Sequence, residues 1–267
     1  VSTDRDATAD GPDPTISFSS TVDGGQTLAL DADAWTVTIT GAAGGTTALT
    51  SLTVSAASQA DVANVTVDSG NVSVTATNID LNGTSYQTTT SGAITFTGAV
   101  DLDLDTGATI LVQVPGGLDT NDITFTAAIA DASGGTADVL ELNSNGGGGA
   151  GGAGDIDVQG VIGDGTNDPA AVTVSGGDQL DLANVYSGGA ITVSAANTDL
   201  NSTVYQTTSG AIVFNNAVDL DAGAVTVTVE ARGGTDTDDV RFVGTVDDAA
   251  NDTTLVAAAS NAGAAGA

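Results

Sequence analysis

The sequence predicts an all-β protein, a β-solenoid. Three observations predict it: a long internal repeat, a finer strand-scale period inside that repeat, and a supply of small apolar residues with few aromatics. The chain has 267 residues and is 40% hydrophobic but only 3% aromatic. Its apolar residues are mostly Val, Ala, Leu and Ile, which suit a thin, layered core better than a thick globular one. Thr and Val are abundant, and branching at Cβ favours extended backbone. The 36 glycines sit at the ends of short apolar runs, where they mark turns.

The organisation follows from the repeat. An N-terminal segment, 1–14, precedes a first solenoid module, 15–142. A Gly-rich junction, 143–154, leads to a second module, 155–257. A Gly/Ala-rich end, 258–267, resembles the junction, as if a further one began there, and the whole reads as a window cut from a longer array. The modules match over most of their length. Tyr86-Gln-Thr-Thr returns as Tyr205-Gln-Thr-Thr, an offset of 119. Asp101 matches Asp219 at 118, and Gln59, Asp61 and Asn64 match Gln179, Asp181 and Asn184 at 120. Downstream, Phe125 matches Phe242.

Within a module, Val54, Val74 and Phe96 head comparable segments spaced by 20 and 22 residues, and Val174, Val193 and Phe214 repeat the pattern. Apolar and polar residues alternate in each segment, as in a strand with one buried face. Val72, Val74, Ile94, Phe96, Ile191, Val193, Ile212 and Phe214 are therefore expected to point inward. Short strands at a step of about 20 residues are what a solenoid coil needs. The competing architecture is a tandem of β-sandwiches, because a module of about 119 residues is also the size of one such domain.

Charge narrows the partners. There are 34 acidic residues against 3 basic ones, a formal net charge of −31. Such a surface repels nucleic acid, which is bound through clustered Lys or Arg, and it attracts cations. No apolar run is long enough to span a membrane, so membrane insertion is not expected. Cys and His are absent and there is no Lys. That removes disulfides, thiol and imidazole chemistry, Schiff bases and the P-loop lysine. Paired carboxylates that hydrolyse glycosides remain open as chemistry, but acidic pairs are everywhere and sugar-stacking aromatics are few. The expectation is a protein that is not an enzyme and requires no cofactor.

Calcium is the one ion for which candidate ligands stand out. Asp101, Asp103 and Asp105 alternate along one strand, Asp219 and Asp221 occupy the matching places in the second module, and Asp236, Asp238 and Asp239 form another cluster. Asp101-Leu-Asp-Leu-Asp-Thr-Gly107 resembles the start of an EF-hand loop, but Val112 stands where the bidentate Glu belongs. Diffuse cation binding and a preformed cage are both open. The recurring Tyr86 and Tyr205 read as structural corners, and the sequons at Asn64, Asn71, Asn82, Asn201 and Asn251 as consequences of an Asn/Thr-rich composition.

Ile16-Ser-Phe-Ser-Ser-Thr-Val-Asp-Gly-Gly, Gly41-Ala-Ala-Gly-Gly-Thr-Thr-Ala-Leu-Thr-Ser-Leu-Thr-Val54 and Ser91-Gly-Ala-Ile-Thr-Phe-Thr-Gly-Ala-Val100 look like the repeats of filamentous-haemagglutinin-like and autotransporter-type bacterial surface proteins. The resemblance runs over nearly the whole chain. It implies export, a right-handed parallel β-helix, and adhesive or structural work at the cell surface, and it carries over no catalytic residues. The extreme acidity departs from it. The expected function is an extracellular structural or adhesive repeat segment, assembling into fibres by head-to-tail or lateral self-association, or binding surface glycans. The alternative is a carbohydrate-binding or carbohydrate-active β-helix.

Overall fold

A computed structural model describes residues 15–104, 106–115, 120–131, 135–144, 154–234, 237–248 and 252–259. The N-terminal segment 1–14, most of the junction (145–153) and 260–267 lie outside them. Among the described residues there are 25 strands and no helix. Every strand pairing is parallel, and each strand stacks on residues one coil away in sequence. A sandwich is made of antiparallel sheets, so the tandem-sandwich alternative is excluded and the parallel β-solenoid stands.

The coil has three faces. On the first, Ile16 stacks on Val37, Ala60, Ile79 and Val100 in turn. On the second, Leu28 stacks on Leu52, Val72 and Ile94. On the third, Val22 is followed by Ala43, Val65, Tyr86 and Val112. The chain visits the faces in the order first, third, second. Its inward residues form one continuous apolar column, and all eight positions expected to point inward are buried. Burying a Val, Ile or Phe side chain fully is worth roughly 1.5–3 kcal/mol, and each is buried only because the next coil covers it. Aromatic rings thread this core: Phe96 stacks on Phe125 at 5.1 Å, and Phe214 on Phe242 at 5.2 Å.

Three strands, Ser51–Val62, Val72–Leu81 and Ile94–Leu102, run across both the second and first faces and bend between them. The register slips at the bend, between Val54 and Ala57 and between Thr75 and Asn78. In the third of these strands the bend needs glycine. Gly98 has φ +131°, and a Cβ there would meet the carbonyl oxygen of Ala76.

The two modules share one solenoid but are out of phase on it. Five stacking steps on the first face lead from Ile16 to Ile129. The strand Ile123–Phe125, whose apolar-polar-Phe pattern matches both Ile16-Ser-Phe18 and Val240-Arg-Phe242, lies one face before Ile129, on the second face. The next module repeats this. Five steps on the second face lead from Ile123 to Val246, and the homologous strand Val240–Phe242 lies one face before, on the third. A module is thus five turns less one face. Each homologous position falls one third of a turn short: Tyr86 stacks on the third face and Tyr205 on the first.

Candidate functional surface

Regular stacking turns an apolar-Asp-apolar triplet into a carboxylate rail. Neighbouring residues of the triplet point inward, so its aspartate points out. On the first face Asp61, Asp80 and Asp101 are consecutive register partners. On the second face Asp157, Asp181, Asp199, Asp219 and Asp247 form a longer rail over five coils. The one-face offset explains the shift: Asp61, Asp80 and Asp101 are the homologues of Asp181, Asp199 and Asp219. On the second face of the first module the same outward column carries hydroxyls instead, Thr53, Ser73, Thr95 and Thr124. Their homologues Thr173 and Thr192 have moved to the third face.

Amides and hydroxyls, more than cations, line these rails. Thr38 Oγ1 donates to Asp61 Oδ2 at 2.9 Å, and Gln59 Nε2 donates to Asp61 Oδ1 at 2.9 Å. In the second module Asn197 Nδ2 donates to Asp199 Oδ1 at 3.0 Å and Asn201 Nδ2 to Asp181 Oδ1 at 3.0 Å. Partial burial, then the neighbouring carboxylates of Asp61, Asp103 and Asp101, push Asp80 up to about 6, against the pull of the Gln59 amide. Its homologue Asp199 is raised for the same reasons, burial first, with Asp181, Asp221 and Asp219 adding to it. Turn aspartates behave oppositely. Asp23 accepts the Thr46 and Thr47 N–H groups, Asp164 those of Asn167 and Thr166, and both are lowered by these bonds.

The eight aspartates singled out as calcium ligands are not gathered at one place. Asp101 and Asp219 sit in separate rails on different faces. Asp103 lies beside the first rail, where the Asn82 amide, turned to donate, reaches Asp103 Oδ2 at 2.9 Å. Asp221 is exposed, and its N–H donates to Leu200 O. Asp239 is exposed, and its carbonyl accepts Ile212 N–H at 2.8 Å. Asp238 is buried and accepts Gly210 N–H at 2.6 Å. Its homologue Asn121 accepts Gly92 N–H at 2.8 Å, so an uncharged amide does the same work in the first module. Asp105 and Asp236 lie outside the described residues. Among the described residues no three acidic side chains converge in a way that would hold a metal ion.

The tyrosines are corners in the structure. Tyr86 is buried, donates its hydroxyl to Val62 O at 2.5 Å and accepts Gly83 N–H at 2.9 Å. Tyr205 makes the homologous pair with Leu182 O and Ser202 N.

One open trough accompanies the first rail. It follows the bend between the second and first faces, has a volume of about 600 Å³, and is lined by Ser58, Thr75, Thr97 and Thr126 among small residues such as Ala34 and Gly98. Among the described residues that line it there is no carboxylate, in a chain of −31 net charge.

No family model, curated protein or solved structure matches this chain.

Proposed function

We propose that this chain is an extracellular structural or adhesive repeat segment of a bacterial surface protein, acting through an extended, repeated surface and not through one reactive centre. The observation that carries this reading is the recurrence of the rail. The same carboxylate, amide and hydroxyl columns are built twice from homologous residues and presented on two sides of one rod. That arrangement suits many weak, equivalent contacts, whose effects multiply when several engage together. Divalent cations such as calcium are counter-ions of the rails in this reading, held along them and not in a cage. The strongly negative surface weighs against nucleic acid as a partner.

A second reading is a carbohydrate-binding solenoid, and the neutral trough favours it. Its hydroxyls and small side chains suit an extended uncharged polymer laid along the axis. The test uses the intact chain on two panels, immobilised cells and soluble polysaccharides. Saturable retention on cells without new reducing ends in the polysaccharides is the expected result. Retention by neutral polysaccharide alone moves the reading to the trough. Released reducing ends overturn the non-enzymatic proposal.

A further inference from the structure

Among the described residues nothing stacks on the last coil, and the first module shows what covers a coil of this kind. Strands Val240–Phe242, Val246–Asp247 and Thr254–Ala259 stand at the ends of their three sheets, each with one neighbour. Their inward residues are open: Val246 is 39% exposed, Ala257 is exposed and Phe242 is half-buried. The homologous positions of the first module, Phe125, Ile129 and Leu142, are all 0% exposed. There Val158 stacks on Phe125, Ile162 on Ile129, and Val174 on Leu142.

We infer that the uncovered end is a docking surface for one further coil of this same repeat, of which residues 156–175 are the example in hand, and that this coil enters one face earlier on the winding. Its leading strand, the equivalent of Ile156–Val158, stacks on Val240–Phe242 on the third face. Three features select this occupant. The end offers a parallel strand edge on each of three faces at once, and each edge needs a strand. The interior between them is an apolar plug, with the Phe214–Phe242 stack pointing to a further layer. The covering interface is also continuous with one the chain already makes, residue for homologous residue. A flat protein surface meets at most one of these edges. The inference is independent of the adhesive reading, since it concerns how coils stack and not what the outer surface binds.

The test extends the full chain after Ala267 with a second copy of residues 154–175. The chain has no cysteine of its own. The residue copying Ile156 is changed to Cys and paired with Val240→Cys in one variant and Val246→Cys in another. Stacked Cα atoms lie ~4.8 Å apart, within the roughly 4.4–6.8 Å range a disulfide spans. Mild oxidation is expected to close the Val240→Cys pair and leave the Val246→Cys pair open. Without cysteines, the extension is expected to slow hydrogen exchange in Val240–Phe242 and Thr254–Ala259, while a scrambled extension does not. Closure of the Val246→Cys pair places the coil without the rotation and overturns the inference. So does equal exchange with native and scrambled extensions. A concentration-dependent dimer of the unextended chain that protects the same two strands makes a second copy the occupant and overturns it too.

Discussion

Aspartate has two opposite uses in this chain, and its pH behaviour follows from where each residue stands. In turns, Asp23 and Asp164 accept backbone N–H groups and are lowered. Their support is present above the unfolded value of 3.8 and is lost as pH falls through their folded values. In the rails, Asp80 is raised from 3.8 to about 6, and Asp199 is raised as well. The folded state then holds more protons than the unfolded one between those values. The rail contribution is therefore fully present below 3.8 and declines as pH rises to about 6. Denaturant titrations are expected to show stability falling across that window, and Asp80→Asn is expected to flatten the fall. Because Asp80 is in good part open to water, the gain from Asp80→Asn at pH 7 is about 1 kcal/mol or less after allowance for screening. A steeper decline in the variant would contradict the assignment. The rails are legible in the sequence once the coil spacing is known. Ala60-Asp-Val62, Ile79-Asp-Leu81 and Val100-Asp-Leu102 are spaced by one coil, and Leu180-Asp-Leu182, Thr198-Asp-Leu200 and Val218-Asp-Leu220 repeat them. Asp101, Asp103 and Asp105 alternate along one run of sequence, whereas stacking aligns carboxylates across coils. Asp238 shows the reverse case: nothing in its local run of acids signals the half-buried Gly210 N–H that its carboxylate accepts.

At the level of the strand, alternation was a sound guide. It placed Val72, Val74, Ile94 and Phe96 inward because the period of two is a property of extended backbone itself. It also showed where strands begin, since glycines and Asn-rich turns interrupt it. It could not show the bend that carries Ser51–Val62, Val72–Leu81 and Ile94–Leu102 over two faces, because a register slip depends on how neighbouring coils meet. The trough is a product of that bend, so it was invisible for the same reason. Gly98 tests the account here. With φ at +131° and no room for a Cβ beside Ala76 O, Gly98→Ala is expected to cost about 1–3 kcal/mol in chemical denaturation. Gly25 is the control: a Cβ there meets nothing within 4 Å, so Gly25→Ala is expected to stay within about 0.5 kcal/mol. Equal costs at the two sites would mean that the bend does not depend on glycine.

Across the whole molecule, the rails set the response to salt and the module phase sets how the surface is arranged. Carboxylates on adjacent coils ~4.8 Å apart repel by roughly 0.9 kcal/mol per pair even at the dielectric of water. The second rail stacks five of them, and the chain has three basic residues, of which Arg232 is paired with Glu230. Thermal unfolding in chelator, in calcium chloride and in sodium chloride of matched ionic strength is expected to give midpoints that rise in both salts, and further in calcium. Unchanged midpoints would remove the rails from the stability account, and equal gains would reduce their effect to screening. The repeat length of about 119 residues was plain in the sequence, but its phase was not. A count of residues does not say how many faces they cover until stacking partners are known. The central structural claim is that homologous strands stand one face apart on a single solenoid. In the first module Thr66 N–H donates to Ala43 O at 2.8 Å on the third face, and the homologous Tyr186 N–H donates to Ile162 O at 2.7 Å on the first. The direct measurement is the NMR scalar coupling across hydrogen bonds in the intact, isotope-labelled chain. The account predicts a coupling from Tyr186 N to the carbonyl carbon of Ile162, and one from Gly163 N to that of Ile129. A coupling from Gly163 N to the carbonyl of Leu142 in place of Ile129, which would keep Ile162 on the face of its homologue Ala43, would contradict it.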